Sequence, residues 1–295
     1  MAGESQHARL GRRLEYRFPD FLFVGVQKAG TTWLDKNIRR HPGLWLPALK
    51  ELHYFNEVHI PRHIEWTVRH RRNHGSKLLR RYLDGTENEK FNYRYIAQLA
   101  DIVDGYVSDD WYGRIFSLAE LDQICGEVSP DYFLLPEVGI EHILRLSPTV
   151  KIIVSLRDPI ERTWSHIRMT AQKKGTSELA DVEKIAHAAD FVHRADYPAM
   201  ISRWRSFVPE SRFKVIFMDD IVERPLWVLE SICQFLGVKF SDAKFPKAET
   251  PIHVGQALEM PAAVHGLLKD RLKPVYAGMR DMFPKIGAAW SARHY

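Results

Sequence analysis

Cysteine is scarce in this chain. Cys125 and Cys233 are the two in 295 residues, so no disulfide framework can staple the fold, and a reducing compartment suits it better than a secreted one. Neither stands beside a second ligand at zinc spacing, and no metal is expected. No apolar run approaches the roughly 18 residues that cross a bilayer. The segment from Met1 to Tyr16 is polar, without the apolar core of a signal peptide. A cytoplasmic location with no membrane span is therefore the expectation. Gly/Ser linkers, internal repeats and low-complexity tracts are also missing, so nothing in the composition divides the chain. Nor is one sign of charge in large excess. The 42 Lys and Arg against 37 Asp and Glu leave +5, which suits an anionic small ligand and predicts no nucleic-acid partner. With 45% hydrophobic and 27% charged residues, disorder and fibrous structure are excluded and a sizeable core is affordable.

What is present is alternation. Apolar β-rich runs are followed by segments of helical periodicity, the pattern of parallel strands joined by crossover helices. Phe21 to Val26 reads as a strand and Thr31 to Arg40 as a helix that His41-Pro42 ends. Val150 to Leu156 reads as a second strand, with a helix from Pro159 to about Gln172. Phe213 to Met218 is a third, followed by a helix from Pro225 to Leu236 that Gly237 terminates. Gln123 to Val128 is a weaker fourth. Two regions interrupt the pattern. Residues 57–95 form a helical insertion with a basic cluster (Arg62, Arg69, Arg71, Arg72, Lys77, Arg80 and Arg81), read as a solvated helical face. Residues 244–256 lack periodicity and form a candidate loop over a site, with His253 a candidate lid residue, before a helix near Pro261.

The first strand runs into Gly25-Val26-Gln27-Lys28-Ala29-Gly30-Thr31-Thr32-Trp33. A strand, a glycine-bearing turn and a helix start make an anion cradle. First-turn amides have no intrahelical acceptor, and the helix dipole is positive there. The spacing of Gly25 and Gly30 imitates the nucleoside-triphosphatase loop, but the lysine required after the second glycine is Thr31 here. The lysine has moved to Lys28, so the loop suits one phosphate with an amine projecting past it. The strand from Val150 ends in Arg157-Asp158-Pro159, with Arg162 and Ser165 following. An arginine at the carboxyl end of a parallel strand, with a hydroxyl eight residues on, can clamp a second phosphate. An Arg162–Asp158 pair at the helix cap is the structural alternative for those two residues. Trp164 and His166 read as helix packing.

Together, the Lys28–Leu34 loop and the Arg157–Ser165 segment resemble the two nucleotide-binding signatures of sulfotransferases that use 3′-phosphoadenosine 5′-phosphosulfate (PAPS). Lys50-Glu51-Leu52-His53-Tyr54-Phe55, the segment Gly126 to Phe133 and the stretch from Trp204 to Gly237 extend the likeness over roughly residues 20–240. It is nearest to the glycan, heparan-sulfate-type branch and its bacterial relatives. The resemblance implies an α/β fold, a P-loop-like parallel sheet flanked by helices. Residues 1–295 would form a single domain, with a helical insertion and a helical carboxyl-terminal tail over about 257–295. It implies PAPS as donor, PAP as product and no metal. Lys28, Ala29, Gly30, Thr31, Thr32 and Trp33 would hold the 5′-phosphosulfate, Arg157 and Ser165 the 3′-phosphate, with Lys28 as the catalytic lysine. Glu51 matches the family's catalytic glutamate, and His53 is the rival base, since the small-molecule branch uses histidine. On an extended segment these two would point to opposite faces, so one alone would meet the sulfate. Val128 stands where glycan-branch members often carry a lysine, which shifts charge stabilisation towards Lys28. The acceptor would be a glycan or another small metabolite. The competing readings are a magnesium-dependent P-loop kinase and a non-enzymatic nucleotide- or polyanion-binding module.

Overall fold

The computed structural model describes residues 16–87, 90–176, 178–250 and 259–295. Five strands, β1 (Phe21–Gly25), β2 (Leu44–Trp45), β3 (Ile124–Val128), β4 (Lys151–Leu156) and β5 (Phe213–Phe217), form one sheet in the order β2-β3-β1-β4-β5. Every recorded pairing is parallel, so each connection is a crossover, and the helices it carries cover the faces. β1 is central and buried along its whole length, as its unbroken apolar run requires. Its side chains alternate: Leu22 and Val24 join the core on one face of the sheet, Phe21 and Phe23 the core on the other.

Fourteen α-helices are described: α1 (Thr31–Ile38), α2 (Tyr54–His59), α3 (Ile64–Asp84), α4 (Tyr93–Asp104), α5 (Asp109–Phe116), α6 (Glu137–Leu146), α7 (Pro159–Lys174), α8 (Leu179–Ala186), α9 (Ala189–His193), α10 (Tyr197–Phe207), α11 (Met218–Glu223), α12 (Pro225–Leu236), α13 (Ala262–Met282) and α14 (Pro284–His294). Their ends follow local chemistry. Asp158 caps α7 by accepting from the amides of Ile160 and Glu161. Gly175 and Gly237 close α7 and α12 at φ of 69° and 85°, the left-handed region that glycine enters without a Cβ penalty.

The alternation read from the sequence is the architecture observed, with four differences. The two-residue edge strand β2 gives too short a signal to be seen. The third strand stops at Phe217, and Met218 starts α11 instead of ending the strand. The first crossover helix ends at Ile38, two residues before the expected Arg40. The basic insertion is not wholly solvated. Arg62, Arg69, Arg72, Lys77, Arg80 and Arg81 are exposed, but Arg71 is buried. Arg71 grips both carboxylate oxygens of Glu57 and lies 5.3 Å from the Trp111 ring centroid. Burial of α3 against α4 brings that face of the helix inside, where a guanidinium persists only because it is paired.

α13 packs against α7, α8 and α10, α14 packs on α13, and both reach back to the sheet edge. The Tyr276 hydroxyl donates to Asp158 Oδ1 at 2.7 Å, and His294 Nε2 approaches the same oxygen at 3.1 Å. Trp290 Nε1 donates to Asp219 at 3.0 Å, and Arg293 pairs with the same carboxylate.

Close packing between β3 and β1 leaves no space at Gly126, where an added Cβ would sit 2.4 Å from the Phe21 ring. Gly126→Ala is expected to lower stability by about 1–3 kcal/mol through this overlap. Urea unfolding followed by circular dichroism measures it, and an unchanged midpoint contradicts the packing described.

Candidate active site

β1 and β4 are neighbours and end at the same edge of the sheet, the edge where open α/β folds bind ligands. The loop after β1 is fastened by its carbonyl groups. The carbonyl of Gln27 accepts from Arg162 Nε at 3.1 Å, that of Lys28 from Arg157 Nη1 at 3.5 Å and that of Ala29 from Ser155 Oγ at 2.6 Å. The amides of Val26 and Ala29 are also taken within the fold, by the carbonyls of Ser155 and Val26. Gly30, at φ of 81°, precedes α1 and gives it no side-chain cap. A Cβ there would lie 3.0 Å from both Ile221 Cδ1 and Met218 Sδ. The first-turn amides of Thr31, Thr32 and Trp33 thus stay available to an anion.

The field at this point is positive. Burial lowers the pKa of Lys28, and the cations Arg157, Arg168, Arg162 and Lys173 lower it further. The same surroundings push His166 down to about 2, through burial first and then Arg162, Arg194 and Lys28. Cations held this close favour a bound anion. Arg157 pairs with Glu161 at 3.3 Å, and Ser165 lies one turn further along the same face of α7. Arg162 does not pair with Asp158. It turns to Gln27 and to His166 Nδ1 at 3.3 Å, because Asp158 is engaged by the helix cap, Tyr276 and His294.

Glu51 and His53 do not sit on an extended segment. Their φ values are 65° and 57°, and the coiled backbone turns both side chains to the same side, with His53 Nε2 3.5 Å from Glu51 Oε2. That corrects the expectation of opposite faces. The cause is long-range: the Glu51 amide donates to the Val128 carbonyl at 3.1 Å and the Leu52 amide to Glu127 Oε1 at 3.2 Å, pinning consecutive residues to β3. Glu127 is itself buried and also accepts from the hydroxyls of Ser129, Tyr112 and Tyr132. Burial raises its pKa and these donors temper the rise.

Burial works against the Glu51 carboxylate, but His53 and Lys50 outweigh it and hold the carboxyl well below its usual range. Lys50 Nζ is 2.7 Å from Glu51 Oε1 and 3.5 Å from Thr31 Oγ1, so one ammonium joins the loop helix to the carboxylate. Burial disfavours the imidazolium of His53, yet Glu51 raises its pKa overall. Its ring packs against Trp66 and His70, with centroids 4.5 and 5.3 Å away. Burial, then the neighbouring His53, push His70 down to about 4.

Among the described residues, the non-glycine residues with positive φ are Lys28, Glu51 and His53, the three read from the sequence as catalytic candidates. Such a conformation costs about 1–3 kcal/mol per residue and persists where the surroundings impose it, as active sites do.

Other expected residues have different places. The Trp33 ring is buried in the core, and its Nε1 donates to the Ala248 carbonyl at 2.7 Å. Trp33 can thus serve a ligand by its amide alone, while its side chain fastens the segment after residue 244. Ala29 is fully buried. Val128 lies in the core cluster containing Trp33 and Leu34. Trp164 is buried, and His166 packs on Phe191 with ring centroids 4.8 Å apart. His253 and the rest of 251–258 lie outside the described residues. Three contributors were not foreseen: Glu127, His70 and the tail residues at Asp158. Of these Glu127 alone leaves a trace in the sequence, as a carboxylate inside an otherwise apolar strand.

A profile of the sulfotransferase family matches residues 19–242, and the chain belongs to that family. Heparan sulfate glucosamine 3-O-sulfotransferase 5 of Homo sapiens is 22% identical over 236 residues, covering 76% of this chain and 55% of that protein. Heparan sulfate glucosamine 3-O-sulfotransferase 6 of Homo sapiens is 26% identical over 238 residues, covering 78% and 54%. The chain thus spans a little over half the length of these relatives. The crystal structure of a sulfotransferase from Alicyclobacillus acidocaldarius superposes with a TM-score of 0.64 at 21% identity, covering 92% of this chain and 98% of that one. That likeness establishes the fold.

The Glu51–His53 pair gives stability a defined pH dependence. The lowered carboxyl contributes above its ordinary 4.5, and this is lost as pH falls through the folded-state value. The raised imidazole contributes below its ordinary 6.5, and this is lost as pH rises through the folded-state value. Thermal unfolding of the native chain and Glu51→Gln is expected to differ most between 4.5 and 6.5, to differ less at higher pH, where the pairing with Lys50 remains, and to converge as pH falls through the folded-state value. A difference that ignores pH contradicts the pairing.

Proposed function

We propose that the chain transfers the sulfuryl group of PAPS to a hydroxyl of a glycan-type acceptor, with Glu51 as general base and Lys28 on the leaving phosphate. The observation that carries this reading is the meeting of two signatures 129 residues apart: Arg157 donates to the carbonyl of Lys28, so both phosphate-directed segments border one basic site. An uncapped helix start and several converging cations fit a nucleotide with a phosphate at each end. The loop lacks the lysine that a magnesium-triphosphate site needs after its second glycine, which disfavours the kinase reading.

Sulfuryl transfer in line makes a bond from acceptor oxygen to sulfur as the bond from sulfur to the phosphate oxygen breaks. The protein's work is positioning and charge. Lys28 neutralises charge growing on the phosphate oxygen. Glu51 takes the acceptor proton on a partly exposed carboxylate. His53 is the poorer base, since its ring is buried between Glu51 and Asn56, with Nδ1 3.0 Å from Asn56 Oδ1. It serves as a positioning residue that keeps Glu51 ionised. The cation beside the base is Lys50, which offsets the absence of a lysine at Val128.

The heparan sulfate relatives support a sulfated or carboxylated sugar as acceptor, and so does the exposed basic face of α3, the helix whose His70 touches the site. Its Arg69 and Arg72, and Arg62 just before it, are engaged in surface ion pairs of 3.5, 3.4 and 3.9 Å, which are weak enough to be exchanged for a ligand's anions.

Glu51→Gln is expected to keep PAP affinity and lose turnover by about 100-fold or more, and Arg157→Ala to weaken PAP binding at least about tenfold through loss of a charged phosphate contact. Calorimetry with PAP and ATP, together with a labelled-PAPS assay on heparan-type oligosaccharides, tests both. Full turnover in Glu51→Gln removes the base, and unchanged PAP affinity in Arg157→Ala removes the clamp. His53→Ala takes away a cation that favours the carboxylate, so the acid limb of kcat/KM is expected to move to higher pH. An unmoved limb denies His53 that role.

A further inference from the structure

His70 has no part in the transfer described above, yet its ring comes to the same place as the Glu51 carboxylate. His53 is 1% exposed and nearly fixed in orientation. The Asn56 side-chain amide donates to the Asp131 carbonyl at 3.0 Å, which leaves Asn56 Oδ1 to accept the Nδ1 proton of His53. His53 Nε2 then aims at Glu51 Oε2 from 3.5 Å and has no aligned hydrogen-bond partner. His70 repeats part of the arrangement. Its Nε2 is likewise buried without a partner. Two imidazoles with unpartnered buried nitrogens beside a carboxylate, one of them with its other nitrogen tied to an oxygen, fit the way metal-ligating histidines are oriented.

The three ligand atoms, one from each of Glu51, His53 and His70, lie within 4.8 Å of one another. Tetrahedral bonds of about 2.0–2.1 Å hold ligand atoms about 3.3 Å apart. The pair from Glu51 and His53 already stands near that separation, and an inward rotation of the half-buried His70 closes the set. Lys50 occupies Oε1, so Oε2 is the oxygen free to bind, and the partly exposed side of Glu51 leaves a fourth position for water.

We propose that Glu51, His53 and His70 bind a first-row divalent ion of the Zn²⁺ class, and that its binding stops sulfuryl transfer by occupying the oxygen that receives the acceptor proton. Two imidazoles and one carboxylate favour Zn²⁺, Co²⁺, Ni²⁺ and Cu²⁺ over Mg²⁺ and Ca²⁺. Imidazole and carboxylate bind a metal ion only without their protons, so binding weakens as pH falls. The inhibitory half of the proposal rests on Glu51 being the base; the binding half does not.

The experiment titrates the full chain with Co²⁺, follows its visible absorption, and then displaces it with Zn²⁺. One equivalent with a four- or five-coordinate spectrum is expected, weakened at least about tenfold in His70→Gln and in Glu51→Gln. PAP affinity in each variant reports folding, and Glu51→Gln separates this site from one built on His70 and His74. In the native chain alone, Zn²⁺ should also raise the unfolding temperature. Absent binding, binding that survives both substitutions, or no thermal shift overturns the site. Zn²⁺ should abolish transfer and a chelator restore it. Binding without inhibition leaves the metal site standing and removes Glu51 as base.

Discussion

Strands β1 and β4 lie side by side and end at one edge of the sheet, and the anion-directed groups take their positions from that pairing. The loop after β1 has few contacts of its own. What holds it is a row of donors from β4 and α7, namely Ser155, Arg157 and Arg162, each taking one loop carbonyl. Two of those donors are cations. The groups that shape the cradle therefore also charge it, so its electrostatics and the loop geometry depend on the same side chains.

The second constraint comes from β3. Its backbone and the buried Glu127 seize the amides of Glu51 and Leu52 and force the preceding loop into a left-handed coil. Glu51 then has a cation on either side, Lys50 towards the phosphate loop and His53 towards the interior. A carboxylate so placed favours its ionised form, which is the state a proton acceptor needs, at the cost of basicity. The arrangement trades proton affinity for permanence of charge.

Much of this was legible in the residues. The apolar runs gave four of the five strands, and the glycine turn, the displaced lysine and the strand-ending arginine gave the two turns that meet at one edge of the sheet, because these signals are local. Whatever depended on distant partners was not legible. The facing of Glu51 and His53 required knowledge of Glu127, the burial of Arg71 required Glu57 and Trp111, and the engagement of Asp158 required Tyr276 and His294. In the sequence Arg71 looked like an ordinary surface residue and Asp158 like an ordinary cap. Lys28, Glu51 and His53 were chosen for their chemistry, and their shared backbone conformation emerged from the fold alone.

Asp158 follows Arg157, and its carboxylate is held by Tyr276 and His294, 118 and 136 residues further along the chain. Those residues lie beyond the segment that the family profile matches. During synthesis, the sheet and both phosphate-directed turns leave the ribosome well before the helices that brace the second of them. Until α13 and α14 dock, the nascent chain carries a basic edge whose arginine turn still lacks the anchor that Tyr276 and His294 provide.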